Sequence, residues 1–211
     1  MYHYKYLTRN NAKPYRKEFQ KIILDVQNLI RDKFTFQFKF IGSSAKNMIT
    51  FDSTTNIGFD FDINIEINDP NEDYSASEIR QILINALNQV ILQRGFNYVE
   101  NNTRVLTIKK IDLLRSKIQY SCDIAIVNNY IDKNGQPHQE YIRYNKSHNS
   151  YTWEEQPSPY NLEQKLSKIK KYNRWNEVFE LYIDKKNYNT NKNKKSRSLF
   201  AETIKEIYDR L

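Results

Sequence analysis

A chain of 211 residues with 33 Lys and Arg against 25 Asp and Glu, a net charge of +8 and a pI near 9.3, suits one domain or one domain with a small second lobe. Its 39% hydrophobic content is low, yet 16 Tyr and 11 Phe supply the bulk for a packed core, which excludes global disorder. A single Cys (Cys122) and three scattered His (His3, His138, His148) exclude a disulfide framework and a multi-Cys zinc site, and four Gly argue against glycine-loop nucleotide folds. No apolar run approaches the roughly 18 residues of a membrane span. The N-terminal MYHYKYLTRN has no hydrophobic leader region, so the expectation is a soluble, cytoplasmic protein without a membrane partner.

The charge is unevenly spread. Residues 1–21 carry a balance of +5, residues 22–159 a balance of −3, and residues 160–211 a balance of +6. A mildly acidic centre between basic ends suits a metal–carboxylate site whose ligand is a polyanion. A lysine-rich surface produced by a Lys/Asn/Ile/Tyr bias is the competing explanation.

Phe19, Ile22, Ile23, Val26, Leu29 and Ile30 recur at helical spacing, which predicts a helix over about 14–32. Phe34, Phe36, Phe38 and Phe40 then alternate strictly, predicting a strand that ends at Gly42. Residues 45–58 read as a loop or short hairpin. FDFDINIEI alternates again, with Phe59, Phe61, Ile63, Ile65 and Ile67 on one face and Asp60, Asp62, Asn64 and Glu66 on the other. Ser75 followed by Glu78 predicts a capping box for a helix running to Arg94, with Gly95 as its stop. Strand-like runs follow near 96–100, 103–111 and 117–128. Asn134-Gly135 signals a hairpin, and residues 139–145 pair back across it. From Tyr160 to Leu211 the pattern is helical, broken by the polar stretch Lys185–Ser198. This order predicts an α+β fold: a mixed or antiparallel sheet with helices on one face (residues 1–150) and a small C-terminal helical lobe (151–211).

Asp60 and Asp62 carry the chemistry. At i and i+2 on a strand, both carboxylates leave the same face with backbones only about 7 Å apart. Hard divalent cations take oxygen ligands, commonly one or two carboxylates together with substrate phosphates. Gly42-Ser43-Ser44 closes the preceding strand, where backbone N–H groups and hydroxyls can cradle a phosphate, and Lys46 adds a nearby cation. Asp123 sits in KIQYSCDIAIV, a strand apolar enough that an acidic residue needs a pairing partner or a metal. Each feature has an ordinary structural explanation when taken alone.

Together they resemble the nucleotidyltransferase superfamily typified by DNA polymerase beta. The shared pattern is a hydrophobic residue, Gly and Ser, then Asp-x-Asp on the next strand and a third acidic residue on a later one. Here it maps to Ile41-Gly42-Ser43, Asp60-Phe61-Asp62 and Asp123, over residues 20–128. Two departures are visible: the gap of 16 residues between Ser43 and Asp60 is long, and the Gly that ordinarily follows Gly-Ser is missing, with Asn47 and Met48 in its region.

The resemblance implies Mg²⁺ or Mn²⁺ held by Asp60, Asp62 and Asp123, a nucleoside triphosphate such as ATP anchored by Gly42, Ser43, Ser44 and Lys46, attack on the α-phosphate, and release of pyrophosphate. The acceptor stays open among an RNA end, another nucleotide, a small molecule and a protein side chain, with the basic flanks favouring nucleotide or RNA. Lys165, Lys168 and Lys171 recur at helical spacing, as on a solvated face or toward a triphosphate. Lys185–Arg197 holds six basic residues and no acidic one, a surface loop or a nucleic-acid contact. Tyr144, Tyr151 and Trp153 suit packing or stacking on a base. Two alternatives stand beside this reading: a non-catalytic binding module with the same fold, and a glycosyltransferase using Asp-x-Asp. The segment before Asp60 is short for the second.

Overall fold

The computed structural model describes residues 3–52, 54–55, 58–157, 161–191 and 193–211. In chain order the elements are β1 (Tyr4–Tyr6), α1 (Arg9–Ile30), β2 (Thr35–Ile41), the single turn α2 (Gly42–Ala45), β3 (Thr50–Asp52), β4 (Phe59–Asn68), α3 (Ala76–Leu92), β5 (Glu100–Asn101), β6 (Leu106–Asp112), β7 (Lys117–Ile131), β8 (Pro137–Asn145), β9 (Ser150–Glu155), α4 (Leu162–Lys171), α5 (Trp175–Tyr188) and α6 (Ser196–Tyr208). The expected α+β architecture is present. A seven-stranded mixed sheet runs β2-β4-β7-β6-β5, with β8 and β9 continuing from β7. Only β4 and β7 are parallel; the other pairs are antiparallel.

One sheet face is apolar because its strands alternate. Phe61, Ile63 and Ile65 of β4, Cys122, Ile124 and Ile126 of β7, and Leu106 and Ile108 of β6 are fully buried. Against them lie Phe19, Ile22, Ile23 and Val26 of α1 and Leu83, Leu87 and Ile91 of α3, so both helices bury one stripe on the same side. The opposite face is left to the polar half of each alternation.

Several boundaries move. α1 begins at Arg9, where the Thr8 hydroxyl accepts from the Asn11 N–H at 3.2 Å. Its first turns are polar and carry no apolar repeat, so the helix begins before the periodic pattern does, with Pro14 inside it. The Ser75–Glu78 capping box forms as expected, and Gly95 ends that segment with φ +70°. Within the expected loop 45–58, β3 forms and pairs antiparallel with β1. Three-residue strands whose partners lie 44–48 residues apart leave no periodicity to read. The strand foreseen near 96–100 shrinks to Glu100–Asn101, and β9 was not foreseen. In the C-terminal segment, α5 continues through Tyr188, so part of the expected polar break is helical. Tyr160 and Lys192 lie outside the described residues.

The chain divides into two compact units along a different line from 1–150 and 151–211. One comprises Leu7–Ile49 and Asn56–Gln156, and the other Met1–Tyr6, Thr50–Thr55 and Pro157–Leu211. The β8–β9 hairpin carries the sheet through Glu155, past the expected boundary. Within the second unit, the Tyr6 hydroxyl donates to the Phe179 carbonyl (2.8 Å), Asn187 accepts from the Tyr4 N–H (2.6 Å), and Lys186 donates to the Thr50 hydroxyl (2.6 Å). These bonds tie β1 and β3 to α5. Among the described residues, no helix is long and apolar enough to cross a membrane.

Candidate active site

The polar face of the sheet gathers the acidic residues by register. Asp62 and Asp123 are direct partners across the parallel β4–β7 pair, and Asp60 faces Ser121 one pleat away. Adjacent strands stand about 4.8 Å apart, so the backbone alone makes Asp62 and Asp123 neighbours. Opposite Asp123, on β6, stands Thr107. Its hydroxyl donates to Asp123 Oδ1 at 2.6 Å, and the Ser121 hydroxyl donates to Asp60 Oδ1. Beyond them Lys109 pairs with Glu100 at 2.6 Å.

At the end of β2 the chain turns sharply into α2. Ile41 is the antiparallel partner of Asp62, which brings Gly42 against that carboxylate. Gly42 has φ +60°, and a Cβ built there would collide with Asp62 Oδ2. Both the positive φ and the close approach favour glycine, since a side chain would be strained and would have to displace the carboxylate. The Ser43 backbone N–H bonds toward Asp62, and the Lys46 charge favours its ionised form. The Lys46 ammonium also donates to the Gly42 carbonyl at 3.4 Å.

Ser44 differs from the expectation. It is buried, and its hydroxyl donates back to the Ile41 carbonyl at 2.8 Å. Such an i to i−3 bond satisfies a serine within its own helical turn and leaves it no proton for a phosphate. Of the expected anchors, Gly42, Ser43 and Lys46 meet at Asp62, and Ser44 supports the turn from within.

Charge repulsion is written into the site. Burial, then the charges of Asp123 and Asp60, push the Asp62 carboxyl up to about 6. Burial likewise raises Asp123, opposed by the Thr107 hydrogen bond. Behind the trio, burial and the three carboxylates hold the Cys122 thiol well above its ordinary range, so that it stays protonated. As donors, the trio suits a hard divalent cation: all oxygen, anionic, and short of countercharge. It is not a closed cage, since among the described residues no three Asp, Glu, His or Cys side chains stand together as a coordination shell. Asp60 and Asp123 each have one oxygen engaged by a hydroxyl. The fit is one of charge and donor type.

Other residues singled out in the sequence sit elsewhere. Lys165 and Lys168 of α4 lie over the Tyr208 ring of α6, at 5.6 and 5.3 Å from its centroid. Lys185 and Lys194 pair with Glu206 and Glu202 at 2.8 and 2.7 Å, so part of the basic stretch is neutralised within its own unit. Tyr144 and Tyr151 stack on each other across the β8–β9 hairpin, 4.7 Å between centroids. Thr107, Ser121 and Gly58 went unnoticed in the sequence. A Cβ at Gly58 would strike the Gln119 carbonyl, so glycine permits β4 to begin alongside β7. A Gly just before Asp-x-Asp was the one available signal.

No protein-family model matches the chain, and no curated protein matches it. Solved structures do. The chain is similar to the STING-associated CdnE c-di-GMP synthase from Capnocytophaga granulosa, with a TM-score of 0.59, 16% identity, and coverage of 95% of this chain and 60% of that one. It is similar to the GTP-bound form of Vibrio cholerae DncV, with a TM-score of 0.57, 17% identity, and coverage of 98% and 53%. E. coli MS115-1 CdnC with ATP gives a TM-score of 0.50, 15% identity, and coverage of 95% and 61%. The chain therefore shares the α+β fold of these solved structures. The chain spans 53–61% of the length of these three structures.

Proposed function

We propose that the chain is a divalent-metal-dependent nucleotidyltransferase that transfers a nucleoside monophosphate from an NTP to a hydroxyl group and releases pyrophosphate. One observation carries the reading: Asp62 and Asp123 are register partners, and a positive-φ glycine turn is pressed against the Asp62 carboxylate. That combination supports the reading of a phosphate-binding turn beside paired carboxylates on one sheet face. The acceptor is a second nucleotide in preference to RNA, since the similar structures are a c-di-GMP synthase and proteins bound to GTP and to ATP.

Asp60, Asp62 and Asp123 would hold the cation. When bound, it supplies charge neutralisation of the triphosphate and lowers the pKa of the attacking hydroxyl. The protein's own groups do the positioning. The Gly42–Ser43 turn, whose Ser43 N–H faces Asp62, would offer the Ser43 hydroxyl to the β- and γ-phosphates, and Lys46 would add positive charge beside them. Ser121 and Thr107 fix two carboxylates in orientation, so no reorganisation is needed as charge shifts onto the leaving oxygens. The acceptor hydroxyl loses its proton to solvent as its oxygen forms the new bond to the α-phosphorus, and the bond from that phosphorus to the bridging oxygen breaks as pyrophosphate leaves.

The test is incubation with each of the four α-labelled triphosphates and Mg²⁺ or Mn²⁺, with and without added RNA, followed by product separation. Nucleotide-to-nucleotide product with pyrophosphate release, lost in Asp62→Asn, is expected. Release of a nucleoside diphosphate would assign a glycosyltransferase, and no turnover would leave a binding module. Ser43→Ala should weaken triphosphate binding by about 1.5–3 kcal/mol, the worth of one hydrogen bond to a charged group.

A further inference from the structure

Arg80 is the largest fully buried side chain, and it has no carboxylate partner among the described residues. A buried guanidinium is costly, and burial pulls this one down to about 10. Its fork is spent on neutral acceptors instead. Nε donates to the Asn101 side chain at 2.8 Å, one terminal nitrogen to the Ile142 carbonyl at 2.8 Å, and the other to the carbonyls of Asn102 and, at 3.1 Å, Val105. Three of these four partners lie in one short turn between β5 and β6. The Asn102 N–H closes that turn on the Val105 carbonyl at 3.1 Å, and the Tyr151 hydroxyl accepts from the Asn101 amide at 2.8 Å.

The turn so held reaches the active site. The Asn102 side-chain amide donates to the Thr107 hydroxyl at 3.0 Å, and that hydroxyl donates to Asp123 Oδ1 at 2.6 Å. The direction follows from the two neighbours: an ionised carboxylate only accepts and an amide N–H only donates, so the Thr107 proton goes to Asp123 and a lone pair of its oxygen to Asn102. The Asn102 bond holds the hydroxyl in that orientation. One carboxylate oxygen is thereby held and the other left for a ligand.

We propose that Arg80 is a positioning residue for Asp123, acting through the Asn101–Val105 turn, Asn102 and Thr107. This rests on the reading of Asp123 as a metal ligand. It explains why α3 carries a buried arginine without an acid to neutralise it. A carboxylate partner would anchor the guanidinium but would compete with the turn for its donors. Partners behind metal ligands commonly set affinity by 10- to 100-fold.

The experiment measures Mn²⁺ binding to the full chain by the EPR signal of free Mn²⁺, below the melting temperature of each variant, with melting followed in parallel. Thr107→Val, which keeps shape and removes the hydroxyl, is expected to weaken Mn²⁺ binding about tenfold or more. Thr107→Ser should restore it. Asn102→Ala should weaken binding in the same direction and add nothing in the Thr107→Val background, since it acts through that hydroxyl. Arg80→Lys keeps the charge but loses the fork, and should follow Asn102→Ala; if it does not fold, the Asn102 and Thr107 variants decide. Asn88→Ala, which removes the acceptor of the Val99 N–H outside this chain of bonds, should lower the melting temperature and leave Mn²⁺ affinity unchanged. If Asp123→Asn weakens Mn²⁺ binding while Thr107→Val and Asn102→Ala do not, the positioning role alone is overturned. If Asp123→Asn binds like the parent, the metal site itself is wrong and the positioning role falls with it. A folded Arg80→Lys with parental affinity removes Arg80 from the chain.

Discussion

The Asp62 carboxyl keeps its proton up to about pH 6 in the folded chain without metal, against an ordinary value of 3.8, because burial and then the Asp123 and Asp60 charges disfavour ionisation. Between those two values the folded state binds more protons than the unfolded one. Stability from this group is therefore complete below about pH 4 and falls as pH rises through 6. In chelator, Asp62→Asn should be more stable than the parent at pH 8 by roughly 2 kcal/mol, allowing for solvent at the open edge of the site, with no difference at pH 4. Urea melts at the two pH values check this, and a parent that is the more stable at pH 8 would remove the repulsion argument. Gly42→Ala should act oppositely. The left-handed backbone alone costs about 1–2 kcal/mol with a side chain, and the new methyl must displace Asp62. Both stability and transfer should fall, and a variant with parental turnover would show that the turn does not need to touch Asp62. Asp60 and Asp62 were legible in the sequence because a period of two assigns faces without any partner. Thr107 and Ser121 were not, because each acquires its role from a residue on another strand.

Among the elements, α3 was the plainest in the sequence and also anchors the Arg80 network. Its capping box satisfies two terminal donors locally: Ser75 accepts from the Glu78 N–H, and Glu78 accepts from the Ser75 N–H at 2.8 Å. Ser75→Ala should cost about 1 kcal/mol of stability. Because the cap bonds involve only Ser75 and Glu78 and none of the groups between Arg80 and Asp123, Mn²⁺ affinity at a temperature below melting should stay unchanged. A loss of affinity equal to that of Thr107→Val would mean that general loosening of α3 reaches the site. Capping motifs are read from four consecutive residues, whereas β1 and β3 depend on partners far along the chain. β9 needs β8 to exist before its alternation of Tyr151 and Trp153 has any face to occupy.

For the molecule as a whole, the proposed site predicts coupling between ligand and stability. Mn²⁺ with a triphosphate binds the folded state only, and a hundredfold excess over the dissociation constant adds about 2.7 kcal/mol. Thermal melting should rise with metal plus triphosphate, rise little with triphosphate and chelator, and lose the joint shift in Asp62→Asn and Asp123→Asn. Identical ligand-independent curves for parent and variants would sink the site. The basic ends had suggested a polyanion, yet their lysines are partly consumed by Glu202, Glu206 and the Tyr208 ring, so net charge was a weaker guide than the strand motifs. By itself the sequence determined the α+β class, the two helices that bury the sheet, and the strand face that carries Asp60 and Asp62. Alternation and helical periodicity are properties of neighbouring residues and need no tertiary partner to be seen. Only the tertiary structure decided that β4 and β7 run parallel, with Asp62 and Asp123 as partners, that Gly42 closes on Asp62, that Ser44 turns inward, and that a buried arginine on α3 reaches the third carboxylate. Register, close approach and hydrogen-bond partners are relations between distant segments, set by packing, and no local pattern encodes them.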